Sequence, residues 1–232
     1  MRNPKIIDLA ALLSRSVGAV SLKLANLARH DPDLQARGIL GLSKGSKLES
    51  KIWERFYHEP EKLAFESELA LAKISGLKIE DRLEKLSGLE RFKPTERKSI
   101  VRTRLNQQFF RKTVLAAYDN HCAITGLPDQ RLIKACHIVP WAKDERLRMD
   151  PRNGLPINSL HHDAFDLGII YFDSELKLCF SSKLPEANCD EEREALEWMK
   201  RFEGNELRMP RRFFPDEGHL AWHRQNVAGI AD

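Results

Sequence analysis

The sequence of 232 residues lacks long hydrophobic runs, paired cysteines and internal repeats. No segment approaches the roughly 18 consecutive apolar residues of a membrane-spanning helix, which argues against a membrane span. None of the four cysteines stands in a Cys-x-x-Cys pair, so a disulfide framework and a thiolate zinc site are both disfavoured. Asp8 and Arg15 interrupt the N-terminal segment before the apolar core of a secretory signal can form. These absences predict a cytoplasmic protein.

The composition is that of a folded protein with a local basic bias. Hydrophobic residues make up 42% and charged residues 31% of the chain, which supports a real core and excludes a disordered or collagen-like polypeptide. The formal net charge is +4, yet residues 91–112 contain eight basic residues and one acidic residue. Such a concentration of positive charge suits a polyanion such as a phosphate backbone. A solvated helix face has the same composition, so charge alone leaves both interpretations open.

The first ninety residues are predicted to be helical. Apolar residues recur at helical spacing over residues 6–13 and again over residues 17–27, and the polar segment 14–16 separates the two stripes. Two short helices joined by a tight corner are typical of a helix-turn-helix, whose second helix enters a DNA groove. The side chains expected to face that groove are Ser21, Lys23 and Asn26 or their neighbours. A helical hairpin within a bundle fits the same pattern.

Three more helices are expected in the first half of the chain. Residues 37–47 form a Gly/Ser/Lys loop, and helices follow near residues 48–57 and 61–74. A longer helix is predicted over residues 96–118, with one mostly basic side. Its imperfect apolar side contains Ile100, Leu105, Phe109, Val114, Leu115 and Tyr118.

Turn residues between Ser87 and Pro94 coincide with a change from acidic to basic composition, which predicts a domain boundary there. An amphipathic helix is expected from Glu191 onward as a C-terminal extension. The predicted organisation is a helical domain at 1–90, a basic helical linker at 91–118 and a second domain at 119–232.

The segment after the basic helix changes its local pattern several times. A strand that ends in His137 is expected within residues 132–139, and a polar loop follows it. A second short strand is expected over residues 155–157. Asn158 or Ser159 then caps a helix, because both side chains can accept a hydrogen bond from the first turn. The predicted order is strand, loop, strand, helix.

This order and the motifs within it resemble the HNH nuclease family, whose small ββα-metal fold has the same elements. The three signature positions are His137 in ACHIVPW, Asn153 in RNGL and a histidine in LHHDAFD. The combination of CAITG, HIVPW, NGLPIN and LHHDAFDLG is similar to the branch associated with bacterial restriction endonucleases. The resemblance covers residues 97–182. We therefore expect an α+β protein in which a helical, helix-turn-helix-like domain precedes a ββα-metal nuclease domain with a C-terminal helical extension.

Phosphodiester hydrolysis requires a nucleophilic water, a counter-charge for the pentavalent oxyanion and assistance to the leaving oxygen. A histidine at a strand end suits the first task because its pKa lies near neutral pH, so His137 is the expected general base. Asn153 does not titrate, and we expect its amide to hold the loop and to orient the His137 ring. His162 completes the expected catalytic set.

His162 and Asp166 are four residues apart, so on a helix both side chains project from one face and can hold the same divalent ion. One imidazole and one carboxylate with open water positions suit Mg²⁺ or Mn²⁺, with Co²⁺ or Ni²⁺ as further first-row candidates. His161 points about a third of a turn away and is expected to assist near the phosphate. Which of the two adjacent histidines is the ligand stays open.

Two positions depart from the wider HNH pattern. Many HNH sites have an aspartate or histidine before the general base as a metal ligand, and here that residue is Cys136. Because a thiol is a poor ligand for Mg²⁺, the site either uses two protein ligands plus water or prefers a softer ion. Many relatives also bind a structural zinc through paired cysteines, whereas Cys122 is followed by Thr125 in CAIT. No structural zinc is therefore expected.

The sequence thus predicts a metal-dependent endonuclease that hydrolyses DNA phosphodiesters, and its similarity to restriction-associated relatives suggests action on foreign or modified DNA. The expected partner is double-stranded DNA. One such site cuts one strand, so a double-strand break requires a homodimer or two successive nicks. The basic residues expected to contact DNA are Arg15, Lys23, Lys44, Lys47, Arg97, Arg102 and Arg104.

Two other hypotheses fit the sequence. The first is a DNA-binding regulator in which the nuclease fold has lost activity, and Cys136 in place of a usual ligand favours it. The second is an RNA-directed or toxin-like nuclease, which the helix-turn-helix pattern disfavours because that motif suits duplex DNA.

Overall fold

The structure, a computed structural model, describes residues 3–39, 45–79, 81 and 94–231, with only the backbone described for residues 94–99. It divides into two compact units, Met1–Gln107 and Gln108–Asp232. Helices and two small antiparallel sheets build the described chain, so the expected α+β class is confirmed. Within these residues no helix is both long and apolar enough to cross a membrane. The boundary predicted between Ser87 and Pro94 falls almost entirely outside the described residues.

The described part of the first unit is helical, as the apolar periodicity predicts. Asn3, Ser16 and Asp31 each accept a hydrogen bond from a backbone N–H in the first turn of a helix, which satisfies amides that have no partner within the helix. The helices are α1 (Pro4–Leu12), α2 (Val17–Ala28), α3 (Pro32–Ala36), α4 (Lys47–Phe56) and α5 (Pro60–Ile74).

The polar side chains of α2 that were expected to face a DNA groove contact other parts of the protein instead. Asn26 is buried, and its amide donates to Glu49 Oε1 at 3.3 Å. Lys23 forms an ion pair with the same carboxylate, and Ser21 donates its hydroxyl to the backbone of its own helix at 2.8 Å. The prediction that Asn26 faces a DNA groove is therefore wrong, because its amide is used to join α2 to α4.

The second unit contains the predicted strand, loop, strand and helix. After α6 (Pro94–Ala117), β1 (Ile133–His137) pairs antiparallel with β2 (Gly154–Asn158). Helix α7 (Ser159–Asp166) follows β2 directly. Of the two candidate caps, Asn158 accepts the hydrogen bond from the His161 backbone N–H, at 3.1 Å.

Gly154 allows α6 to lie close to the strand pair. A Cβ at this position would lie 2.5 Å from Val114 Cγ2 and 2.7 Å from Phe110 Cζ. Phe110 is almost fully buried, whereas Phe109, which the apolar pattern selects, is only half-buried. Phe110 rather than Phe109 is therefore the core residue of this turn of α6.

The C-terminal part packs against the ββα elements. Strands β3 (Ile170–Phe172) and β4 (Leu178–Phe180) form a second antiparallel pair, which the sequence pattern does not predict. Helices α8 (Asp190–Lys200) and α9 (Glu217–His223) follow, and α8 begins one residue before the predicted start. The fully buried apolar side chains of this unit include Ile133, Ile138, Leu155, Ile157, Phe165, Ile170 and Phe172.

Candidate active site

His137 is the last residue of β1, and three neighbours hold its imidazole ring. The Phe110 ring stacks on it, with 3.9 Å between centroids and 9° between planes. The Trp141 indole meets the imidazole edge-on at 5.3 Å. His137 Nε2 lies 3.1 Å from the backbone carbonyl oxygen of Arg148. One face, one edge and one nitrogen of the ring are therefore in contact with the protein.

The contact with Arg148 determines which ring nitrogen is basic. A carbonyl oxygen only accepts hydrogen bonds, so Nε2 carries the hydrogen and Nδ1 keeps its lone pair in the neutral ring. Burial lowers the pKa of His137, although the Arg148 carbonyl and the charge of Asp166 act in the opposite direction. The imidazole is therefore neutral near pH 7 and able to accept a proton.

Asn153 is completely buried and binds the loop between β1 and β2 at two points. Its Oδ1 accepts from the Val139 N–H at 2.8 Å, and its Nδ2 donates to the carbonyls of Val139 at 3.0 Å and Leu147 at 3.3 Å. The expected hydrogen bond from this amide to the His137 ring is not formed among the described residues. Asn153 instead holds the backbone of Leu147. The next residue, Arg148, provides the carbonyl that contacts His137.

Three potential metal ligands converge between β1 and α7. Cys136 Sγ lies 3.4 Å from Asp166 Oδ1, and His162 Nδ1 lies 3.5 Å from Asp166 Oδ2. The ligand atoms of the three residues all lie within 4.8 Å of one another. Because His162 and Asp166 are one helical turn apart on α7, the helix brings them together. We call Cys136, His162 and Asp166 the ligand cluster.

His161, the alternative metal ligand, points away from the ligand cluster. Its ring is buried, and Nδ1 lies about 3 Å from the Asn158 side chain that caps α7. The Phe202 ring meets the imidazole edge-on at 5.8 Å. The prediction that His161 assists at the metal or the phosphate is therefore wrong, since the cap and the C-terminal segment hold its ring inward.

A salt bridge borders the ligand cluster. Lys134 Nζ lies 2.8 Å from Asp163 Oδ1, and the same oxygen lies 3.1 Å from His162 Nδ1. Both charged residues are substantially exposed. Lys134, followed by His162, lowers the pKa of Asp163, so this carboxylate stays charged and partly compensated. Asp163 is thus a charged neighbour of the site.

Two of the predicted DNA contacts are paired with acidic residues. Lys23 pairs with Glu49, and Arg102 lies 3.3 Å from Glu61. The side chain of each cation is still more than half exposed. The neighbouring carboxylates partly compensate the positive charge of Lys23 and Arg102, which weakens the electrostatic attraction of these two side chains for phosphate.

The other predicted DNA contacts differ in exposure. Arg15 and Lys47 are exposed, and Arg104 is half-buried. Lys44 and the side chain of Arg97 lie outside the described residues.

An antiparallel strand pair followed by a helix, with a half-buried histidine at the end of the first strand and a ligand cluster beside it, is a suitable framework for a hydrolytic nuclease. Residues 122–173 match the model of the HNH endonuclease family. The C-terminal half of this chain therefore contains an HNH domain, and the matched segment includes His137, Asn153 and the whole ligand cluster. The search of curated proteins finds no match to the chain. The restriction-associated branch stays a prediction.

Proposed function

We propose that this protein is a metal-dependent endonuclease that hydrolyses DNA phosphodiester bonds, with His137 as general base. The observation that carries the proposal is the neutral His137 ring, whose contact with the Arg148 carbonyl leaves Nδ1 as the basic nitrogen. His137 directly follows Cys136 of the ligand cluster on β1. The HNH domain supports nuclease activity in general.

In the proposed reaction, His137 Nδ1 takes a proton from the water that attacks the phosphorus. The contacts of Phe110 and Arg148 keep the ring in one orientation, so little freedom is lost when the reacting groups meet. Cys136, His162 and Asp166 would hold a divalent ion, which supplies positive charge for the pentavalent phosphate and the leaving oxygen. Asn153 acts as a positioning residue, because it fixes the loop that carries the Arg148 carbonyl.

The N-terminal helical unit is proposed to recognise DNA. Exposed Arg15 and Lys47, together with the basic run at residues 91–112, provide positive charge of the kind that phosphate contacts need. The proposed organisation is a helical recognition domain at 1–90, a basic linker at 91–118 and the nuclease domain at 119–232. Within the recognition domain, α1 and α2 would act as a helix-turn-helix whose outward side excludes Asn26.

The proposed biological role is restriction of foreign or modified DNA. It follows from the similarity of CAITG, HIVPW, NGLPIN and LHHDAFDLG to restriction-associated HNH proteins. Such a role requires a cytoplasmic location, where incoming DNA is met. A comparison of plasmids with and without base modifications as substrates tests it: cleavage confined to one of the two supports restriction, and equal cleavage of both argues against it.

The central experiment is cleavage of supercoiled plasmid by wild type, His137→Ala and His58→Ala. Loss of a general base typically costs 10²- to 10⁴-fold in rate, so we expect His137→Ala to fall roughly within that range. His58 is an exposed histidine of the first unit, and its variant controls for the loss of any imidazole. A chelator should abolish cleavage, and added divalent ion should restore it. Undiminished cleavage by His137→Ala would contradict the proposal.

A second candidate function is a DNA-binding regulator with a weakened nuclease fold. The observation that favours it is the buried thiol of Cys136 in the ligand cluster, where a hard ion such as Mg²⁺ would need oxygen. A regulator would bind short duplex DNA with salt-dependent affinity and leave plasmid intact with every divalent ion. Duplex binding and plasmid cleavage measured side by side separate the two functions.

A further inference from the structure

The Cys136 thiol occupies a different environment from the other cysteines near acidic groups. Its Sγ is fully buried and lies 3.4 Å from Asp166 Oδ1, inside a cluster that also contains an imidazole nitrogen. Cys179, the comparable case, has Asp173 Oδ2 at 3.8 Å, but no His, Cys, Asp or Glu group of three forms around it in the described residues. Among the residues that the structure describes, Cys136 is therefore the one cysteine whose surroundings combine sulfur, nitrogen and carboxylate oxygen as potential ligands.

We infer that Cys136 is a metal ligand, as thiolate, and that the ligand cluster selects a thiophilic first-row ion such as Zn²⁺ or Co²⁺ over Mg²⁺. This inference rests on the proposed metal-dependent function and specifies which class of ion serves it. Thiolate is a ligand for soft and borderline ions, whereas Mg²⁺ binds oxygen and keeps several waters. A binding ion replaces the thiol proton, which is released to solvent.

The distances within the cluster agree with this donor set. Around a tetrahedral zinc ion with Zn–S near 2.3 Å and Zn–N or Zn–O near 2.0 Å, neighbouring ligand atoms are about 3.3 to 3.6 Å apart. Cys136 Sγ lies 3.4 Å from Asp166 Oδ1, and His162 Nδ1 lies 3.5 Å from Asp166 Oδ2. Each separation falls in this interval, with the two oxygens of one carboxylate facing the sulfur and the nitrogen, and all the ligand atoms lie within 4.8 Å of one another. An octahedral Mg²⁺ with ligands at about 2.1 Å would need adjacent ligand atoms at about 3.0 Å.

The neighbouring backbone supports a rigid position for the sulfur. Cys136 pairs with Leu155 in the β1–β2 ladder, and both side chains are completely buried. Two residues earlier on β1, Lys134 reaches Asp163 of α7, which places this face of the strand against the helix that carries His162 and Asp166. The sulfur is therefore held by a strand and the other two ligands by a helix, so a bound ion would join the two elements.

Cobalt absorption tests the inference without reference to nuclease activity. The full-length wild type, Cys136→Ser and Cys179→Ser are each titrated with Co²⁺ while the near-ultraviolet thiolate-to-cobalt charge-transfer band is recorded. We expect the band in wild type and in Cys179→Ser and its loss in Cys136→Ser. Removing even an outer-shell partner of a metal ligand costs roughly 10- to 100-fold in affinity, so Co²⁺ affinity should fall at least about tenfold in Cys136→Ser. Excess Zn²⁺ should displace Co²⁺, and Mg²⁺ at the same concentration should not.

The outcomes separate this inference from the proposed function. A wild-type protein without the band, or a band that persists in Cys136→Ser, overturns the assignment of Cys136, whatever the protein does to DNA. A Cys136-dependent band in a protein that never cuts plasmid supports the ligand assignment and contradicts the nuclease proposal. Circular dichroism checks that Cys136→Ser folds. If it does not, Cys136→Ala and the displacement of Co²⁺ from wild type by Zn²⁺ but not Mg²⁺ provide the test.

Discussion

Two histidines of the C-terminal unit share one type of contact and differ in their surroundings. His137 stacks on Phe110 at 3.9 Å, and His223 stacks on Phe165 at 3.5 Å. Each Nε2 faces a backbone carbonyl, that of Arg148 for His137 and that of Phe165 for His223. His137 lies beside the ligand cluster, whereas His223 of α9 packs against Phe165 of α7. The same two contacts, a stacked phenylalanine ring and a backbone carbonyl, therefore position His137 for the proposed chemistry and fix His223 in the packing against α7.

The burial of His223 makes stability dependent on pH. Burial lowers its pKa to about 4, below the value of about 6.5 in an unfolded chain. The unfolded state therefore binds a proton first, and stability is lost as pH falls from about 6.5 towards 4. At pH 5 this histidine should cost roughly 2 kcal/mol of unfolding free energy relative to pH 7.5. Urea unfolding of wild type and His223→Gln at both pH values measures the difference. Equal pH dependence in the two proteins would contradict this assignment.

The amide of Asn153 is expected to be important for stability as well as for the site. Asn153→Ala leaves the amide of Val139 and the carbonyl of Leu147 without their side-chain partner in a buried position. Unsatisfied buried groups cost about 1–3 kcal/mol each, so we expect a loss of roughly 2–4 kcal/mol in denaturant unfolding. Asn188→Ala, at an exposed asparagine, is the control and should change stability by less than about 0.5 kcal/mol. A loss as small as that of the control would show that the loop does not depend on Asn153.

At the scale of elements, the packing of α6 on β2 determines where the His137 ring lies. Gly154 stands opposite His137 in the β1–β2 ladder, and the space of its missing side chain is filled by Phe110 and Val114. The stacking partner of His137 therefore reaches it only because this strand position has no Cβ.

We predict that Gly154→Ala lowers both stability and cleavage rate. Its Cβ would meet Phe110 at 2.7 Å, so α6 or the ring must move, at a cost of about 1–3 kcal/mol. Thermal unfolding and plasmid cleavage measure the two effects. Gly18→Ala is the matched control: nothing lies within 4 Å of its added Cβ, and alanine within α2 should stabilise by up to about 1 kcal/mol. Full cleavage activity in Gly154→Ala would show that the Phe110 stack does not position His137.

The local signals of the ββα segment explain why its elements were predictable. Asn158 caps α7, and Gly168 follows the helix with a positive φ of +69°. Residue types that favour the start and the end of a helix therefore stand at its two ends in the sequence. The first strand ends at His137, as predicted, and Asn153 holds the loop that follows it. Strands β3 and β4 have three residues each, which is too short for an alternating pattern to stand out.

At the scale of the whole molecule, each chain offers one His137 and one ligand cluster within the described residues. One such site cuts one strand of a duplex, so we predict that nicked circles accumulate before linear plasmid appears, at a rate proportional to protein concentration. A time course of supercoiled plasmid on an agarose gel, repeated at several protein concentrations, measures this. Direct formation of linear plasmid with a second-order dependence on protein would instead show that a homodimer cuts both strands.

Periodicity, caps and motif spacing are local properties, so the amino-acid pattern was enough to predict α1, α2, α4 and α5 and the order of strand, loop, strand and helix. The same pattern selected the candidates His137, Asn153, His162 and Asp166, whereas it did not predict the short helix α3. Which side chains meet depends instead on how the folded chain packs. Phe110 and His137 meet because α6 packs closely against Gly154. His161 points inward because its ring contacts the capping side chain of Asn158 and the ring of Phe202. The adjacent His162 instead lies with Cys136 and Asp166. Contacts between residues distant in the chain depend on how whole elements pack, and no local pattern encodes that packing.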